Sequence, residues 1–328
     1  MVDFMRSFSP FATTEDIFLY DVVTGLSAEQ KFLNSKYFYD ASGDAIFQQI
    51  MKCPEYYLTS CEMEILARQS KDMVHAIGSF RQMFDVVELG PGDASKTTFL
   101  LKELAGRGIT DTYIPIDISE NIVNQLESKL PLIVKGLCVH GRCGDYLSRL
   151  KESRLSSVDK RKLVLFMGAT IGNFTIQEAK EFCARVKRQL YPGDLFMIGF
   201  DLKKDPAVIM DAYNDGGGIT KKFNLNLLAR INRELDANFD LSAFDHVPTY
   251  DLITGACKSF LVSTRDQEVD IGEVAQIKFS KGERIYMEIS QKYTIDQIND
   301  LATIAGFRPI RNFFDSRGWF VDALWQNG

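Results

Sequence analysis

The chain has 328 residues, 45% apolar and 25% charged, with 38 Lys and Arg against 44 Asp and Glu for a net charge of −6. At ~150 residues per domain this makes room for two domains, or one large α/β unit with an addition. The balance excludes disordered, collagen-like and low-complexity chains, and a mildly acidic protein has no general pull on nucleic acid or on an anionic membrane.

From the amino terminus, Met1–Arg6 carries no basic head followed by a long apolar stretch, so no signal peptide is expected. No run reaches the ~18 apolar residues of a transmembrane helix. Ser27–Asn34 reads as a helix with Ser27 as N-cap and Glu29 and Gln30 in its first turn, and Asp44–Met51 as a second. Thr59-Ser60-Cys61-Glu62 has the form of a capping box, opening a helix to about Ile77 with Ile65, Leu66 and Met73 facing the core. Strand and helix then alternate. Strands are expected at Phe84–Leu89, Asp111–Ile118, Gly136–His140, Lys162–Gly168 and Leu195–Asp201, and helices at Lys96–Leu104, from Ser119-Glu120 onward, and at Thr175–Tyr191. Strands separated by helices of this length imply parallel pairing.

Beyond residue 202 the pattern changes. Ala207–Asn214 is helical, Gly216-Gly217-Gly218 breaks it, and 219–236 is a helix with Ile219, Phe223, Leu227, Leu228, Ile231 and Leu235 on one face. Alternation over 246–292 suits antiparallel strands, Thr294–Ala305 is a helix, and Pro309–Phe314 with Trp319–Trp325 forms a closing hairpin. The expected fold class is α/β: a doubly wound sheet with a C-terminal antiparallel hairpin at 61–201 and 293–328, plus a discontinuous α+β domain from 1–60 and 202–292. The cysteines at 53, 61, 138, 143, 183 and 257 and the histidines at 75, 140 and 246 show no zinc spacing. No metal site is expected, and reduced thiols point to the cytoplasm.

The sharpest motif is Glu88-Leu89-Gly90-Pro91-Gly92-Asp93-Ala94-Ser95-Lys96-Thr97, at the end of the first strand. Its glycines allow a tight turn and close approach of a ligand. Ser95 replaces the third glycine of a dinucleotide fingerprint, which weakens a nicotinamide dehydrogenase reading. Asp117 at the tip of the second strand is placed to accept ribose hydroxyls. Asp145, after the third, is placed to accept an adenine amino group, with Tyr146 beside it to cover the base. This ordered set resembles the S-adenosylmethionine-dependent methyltransferases. The alternative is that Asp117 and Asp145 merely cap helices.

A more specific likeness lies in the flanking motifs. Tyr37-Phe38-Tyr39-Asp40, Pro54-Glu55-Tyr56-Tyr57, Gly168-Ala169-Thr170-Ile171-Gly172-Asn173-Phe174, Tyr213-Asn214-Asp215, Asn232-Arg233-Glu234-Leu235 and Glu288-Ile289-Ser290 occur in order. Together they resemble the histidine-specific Nα-methyltransferase family, which makes hercynine in ergothioneine biosynthesis. The resemblance implies S-adenosyl-L-methionine as cofactor, held by Gly90, Lys96, Asp117, Asp145 and Tyr146. It implies Tyr56, Asn173 and Tyr213 on the carboxylate of a free amino acid, Tyr39 and Asn173 at its amino group as the catalytic pair, and Glu288 and Ser290 on the imidazole. The implied partner is a small molecule, and the chain is expected to act as a monomer.

Each residue also has an ordinary reading. Tyr39, Tyr56 and Tyr213 suit a half-buried core, Asn173 suits a helix cap, and Lys96 suits a solvated surface. Glu288 and Ser290 share one strand face, which is either a pocket wall or a solvated edge. Ser259 stands where the family often has a bulky apolar residue at the imidazole end, and the triglycine suggests a mobile lid. Ser259 therefore leaves room for a larger ring, and keeps open N-methylation of tryptophan or an indole derivative. A catalytically silent cofactor-binding homologue is the alternative from another class.

Overall fold

The computed structural model describes residues 13–78, 83–156 and 160–328; Met1–Arg6 lies outside them. Thr13 opens α1 (Thr14–Leu26) with a capping box shared with Asp16. Sequence reading passes over this helix and places one at Ser27–Asn34, which does not form. Ser27 is instead the C-cap of α1, and the Phe32 N–H turns back to donate to Gly25 O at 3.1 Å. Helix α2 (Ala41–Ile50) is capped by Asp40, and α3 (Tyr57–Gly78) begins ahead of Thr59. The Thr59-to-Glu62 motif therefore lies inside α3 and is no capping box. Glu62 is fully buried, in phase with Ile65, Leu66 and Met73.

The alternating region gives β1 (Phe84–Leu89), α4 (Thr97–Gly106), β2 (Thr112–Asp117), α5 (Glu120–Ile133), β3 (Cys138–Val139), β4 (Arg142–Cys143), α6 (Tyr146–Ser156), β5 (Arg161–Phe166), α7 (Ile176–Lys187) and β6 (Leu195–Asp201). The third expected strand is reduced to the two residues of β3, and β4 and α6 are additions to the sequence reading. There follow α8 (Pro206–Tyr213), α9 (Ile219–Glu234), β7 (Phe244–Tyr250), β8 (Ala256–Ser263), β9 (Gln267–Ile271), β10 (Ala275–Phe279), β11 (Arg284–Gln291), α10 (Ile295–Ala305), β12 (Phe307–Phe314) and β13 (Phe320–Asn327).

The chain divides into two compact units. The first comprises Met1–Tyr56 and Asp205–Ile289, the second Tyr57–Lys204 and Ser290–Gly328. The second unit holds an α/β sheet of order β12-β13-β6-β5-β1-β2-β3, with β4 also on β2. Strands β6, β5, β1 and β2 run parallel, and β13 and β12 close the edge antiparallel. Its core joins Val87, Ile116, Val164, Phe166, Phe196, Ile198 and Trp325 with Phe182 of α7 and Leu301 of α10. Strands covered on both faces need such continuous apolar runs. The order reverses beside β1, with β2 on one flank and β5 on the other. That reversal leaves a crevice at the carboxyl ends of β1 and β5 where open α/β sheets bind ligands.

In the first unit, β11-β8-β7 form one sheet and β9-β10 a separate hairpin. Their apolar faces pack with Phe18, Leu26, Phe38, Phe223, Leu227, Ile231, Leu261, Ile271 and Met287 in a core of their own. The expected face of α9 points into it.

Candidate active site

The turn after β1 is built for close approach. Gly90, Gly92 and Ala94 all have positive φ, at 70°, 55° and 53°. At Gly90 a Cβ would stand 2.6 Å from the Tyr146 hydroxyl oxygen, so a side chain there would have to displace the Tyr146 ring from the turn. Below it Glu88 is buried, its carboxylate accepting from Thr97 Oγ1 at 2.7 Å and from Tyr113 Oη at 2.6 Å. Burial pushes its pKa up to about 7, against the pull of the two hydroxyls.

Asp117 ends β2 half-buried and accepts from Ser119 N at 2.9 Å, while Ser119 itself caps α5. Asp145 accepts from both Ser148 N and Ser148 Oγ at 2.9 Å, so it does carry the helix-capping role of the ordinary reading. Tyr146 draws the set together. Burial, then the Asp117 and Asp145 carboxylates, push its phenol up to about 12, and its hydroxyl faces Gly90. It also lines a cavity with Asp145, Phe174 and Phe182. The arrangement offers carboxylate acceptors for hydroxyls and an amine, an aromatic wall, and a glycine turn open to a ligand: the needs of an adenosyl group.

Lys96 is not a solvated lysine. It ion-pairs with the buried Glu62, whose other oxygen accepts from Gly168 N at 2.6 Å. Burial alone would lower the Lys96 pKa, but the Glu62 charge outweighs it and raises it, so the ammonium stays charged. Glu62 thus ties the turn after β1 to the turn after β5, the two loops at the crevice. Sequence reading missed it, although a glutamate in phase with an apolar helix stripe was a visible signal. Nearby, Asp322 of β13 is fully buried, with no hydrogen bond to either carboxylate oxygen. Burial first, then the Glu62 charge, raise its pKa well above the ordinary carboxylate range.

Asn173 ends the 3₁₀ turn Thr170–Asn173 and is exposed. It caps nothing: α7 is capped by Thr175, in a capping box with Glu178. A Cβ on Gly172 would lie 3.1 Å from Gln291 O and 3.6 Å from Ser290 Oγ, so the Asn173 turn runs directly against Ser290 in the second unit.

The other expected substrate residues belong to the first unit. Tyr56 and Tyr213 meet ring to ring at 6.3 Å, edge-on, with Tyr213 only 7% exposed. Tyr39 is 41% exposed and sets its ring against Phe47 and Phe223, so it is no core tyrosine. Glu288 is half-buried, and the buried Ser259 donates to its Oε1 at 3.3 Å. That hydrogen bond brings Ser259 of β8 and Glu288 of β11 together across the sheet. Just before the triglycine, Asp215 accepts across it from Ile219 N at 2.8 Å and Thr220 N at 2.7 Å, pinning the start of α9. Among the described residues the six cysteines are free, and no helix is long and apolar enough to cross a membrane.

A parallel sheet reversing beside its first strand, a glycine turn on that strand, and acids after the next strands define a Rossmann-like S-adenosylmethionine-dependent methyltransferase. Relatives narrow this class. The chain is 35% identical over 301 residues to the histidine N-alpha-methyltransferase of Mycobacterium tuberculosis, covering 92% of each chain. It is 34% identical over 303 residues to that of Mycolicibacterium smegmatis, again covering 92% of each. Against ergothioneine biosynthesis protein 1 of Neurospora crassa it is 31% identical over 278 residues, 83% of this chain and 30% of that one. The family described as histidine-specific methyltransferase, SAM-dependent, matches residues 18–327, and the chain belongs to it.

Proposed function

We propose that the chain methylates the α-amine of free L-histidine up to three times, giving hercynine, with S-adenosyl-L-methionine as donor. Family membership over nearly the whole chain carries this reading. The geometry of the second unit supports it, since Gly90, Asp117, Asp145 and Tyr146 converge at the crevice. When bound, the donor supplies an electrophilic methyl on a sulfonium.

The chain's own residues have to position and desolvate. In this assignment residues 61–201 and 293–328 bind the cofactor, and 1–60 with 202–292 bind most of the substrate. Gly90 admits the donor, Asp117 takes the ribose hydroxyls, Asp145 and Tyr146 take the adenine, and Lys96 takes the methionyl carboxylate. Tyr56, Asn173 and Tyr213 donate to the substrate carboxylate, which neutral donors stabilise only if each oxygen is bonded. Tyr39 and Asn173 hold the amine. Its attack is an in-line displacement that needs a neutral nitrogen, so orientation and exclusion of water supply most of the effect. Glu288 accepts a ring N–H and Ser290 donates to the other ring nitrogen. The Ser259 hydrogen bond steadies the Glu288 carboxylate, which favours a polar ring over an indole with one N–H. In this proposal the chain acts as a cytoplasmic monomer on a small molecule, and its net charge of −6 gives it no general pull on nucleic acid or an anionic membrane.

The test is methyl transfer from labelled donor to L-histidine and to L-tryptophan, read by mass spectrometry. Mono-, di- and trimethylhistidine are expected. Faster turnover of tryptophan overturns the choice of ring, and tight S-adenosylhomocysteine binding without transfer supports a silent homologue.

A further inference from the structure

Two residues beyond Ser290, just past the end of β11, stands Lys292, fully buried and unused by the assignment above. The chain beyond β11 runs along the end of β6: Tyr293 N donates to Asp201 O at 3.0 Å, and Lys203 N to Tyr293 O at 2.9 Å. This register lays the Lys292 ammonium over the Asp201 carboxylate, at 2.7 Å. Asp201 is itself buried and takes a second lysine, Lys204, and the Tyr57 hydroxyl at 2.8 Å. Lys204 also donates to Tyr57 Oη at 2.8 Å and Leu202 O at 2.6 Å, which closes the network. Two lysines on one carboxylate leave a net positive charge in the interior. Such a charge is costly to bury unless it is matched and hydrogen-bonded, so a network kept there needs a reason.

The reason lies at its outer end. Lys292 Nζ donates to Ser290 Oγ at 2.8 Å. An ammonium has donors only, so that hydroxyl is the acceptor in this bond and its own hydrogen is repelled from the lysine. Ser290 stands against the Gly172–Asn173 turn, which keeps its side chain from swinging away.

We propose that Lys292 is a positioning residue that fixes Ser290 as a hydrogen-bond donor, and thereby makes the site select a neutral azole ring with one bare nitrogen. The proposal rests on the reading that Ser290 faces the substrate ring. An imidazolium has an N–H on both nitrogens and would set one against the Ser290 hydrogen. Among the described residues, the charged and titratable groups linked to Ser290 in its unit are Lys292 and, through it, Asp201 of β6, Lys204 beyond it and Tyr57 of α3; Glu288 precedes it on its own strand. Asp201 is already matched by Lys292 and Lys204, so of the two carboxylates Glu288 is the one that would welcome an imidazolium, and rejection of that form falls to Ser290 and Lys292.

The test is L-histidine affinity by calorimetry from pH 5.5 to 8.5, with S-adenosylhomocysteine saturating, for wild type, Lys292→Met, Ser290→Ala and the double variant. In wild type the affinity is expected to fall steeply as pH drops through the ring pKa, near 6.5. Lys292→Met is expected to weaken binding about tenfold at pH 8 and to flatten the acid fall, because Ser290 is then able to turn and accept. In the Ser290→Ala background the lysine change is expected to add less than twofold. A Lys292→Met loss of equal size at every pH, or one fully additive with Ser290→Ala, overturns the proposal and marks the lysine as structural. Should Lys292→Met fail to bind S-adenosylhomocysteine, Lys292→Gln takes its place with the same expected flattening. Absence of histidine binding in wild type at every pH would instead overturn the substrate reading itself.

Discussion

Glu88 shows what the crevice demands of a single side chain. It lies under the glycine turn, where a smaller or apolar residue would leave Thr97 and Tyr113 without their acceptor. Its pKa rises from an ordinary 4.5 to about 7 because burial penalises the charged form. Between those values the folded chain holds a proton that the unfolded chain has released. The folded state is therefore favoured most at low pH, and this contribution is lost as pH climbs through 7. The loss amounts to about 3 kcal/mol. Glu88→Gln keeps the shape and removes the titration. Its stability relative to wild type is expected to rise by about 1–3 kcal/mol between pH 5 and pH 8, read from urea unfolding at both. A difference that does not change with pH would show that Glu88 does not titrate in this range.

At the scale of elements, what was legible in the sequence was whatever a local signal marks without competition. Strands β1 and β6 match their expected bounds because they are unbroken apolar runs ending in turn residues. The start of α5 at Ser119-Glu120 was equally plain, and Ser119 caps it. Failures came where one residue type serves two ends. Ser27 caps the carboxyl end of α1, and a serine alone does not tell which end it closes. Thr59 and Glu62 had capping spacing, but the helix had already begun and the glutamate answers Lys96 across the fold. Such long-range pairing has no local signature, which is also why Lys292 and Asp201 escaped notice. Thr175 settles a further ambiguity. Its capping box opens α7, so Asn173 is relieved of that duty and is available to a ligand. Thr175→Ala is expected to cost about 1 kcal/mol and to lower Tm by about 2–4 °C in a unit of this size. The KM for histidine should stay within about twofold, since the Asn173 turn is set by its packing at Gly172. A large KM rise with no change in Tm would mean that the cap orients Asn173 after all.

At the scale of the whole molecule, the two units have separate cores, and the assigned residues divide between them. Gly90, Lys96, Asp117, Asp145 and Tyr146 all belong to the second unit; Tyr39, Tyr56, Tyr213 and Glu288 all belong to the first. A ligand stabilises the amides it holds, and at one hundred times its Kd it adds about 2.7 kcal/mol to whatever unfolds with its release. Hydrogen exchange followed by mass spectrometry reads that effect segment by segment. S-adenosylhomocysteine alone is expected to slow exchange in 88–97, 116–119 and 143–148, and to leave 37–57 and 210–220 unchanged. Adding L-histidine to that complex should then slow 37–57, 210–220, 257–260 and 286–291. Protection of the first unit by S-adenosylhomocysteine alone would move part of the donor site there. Histidine protection confined to the second unit would remove Tyr39, Tyr56, Tyr213 and Glu288 from the amino-acid site. It would leave Asn173 and Ser290 as the only assigned contacts, too few to satisfy both a buried carboxylate and a ring.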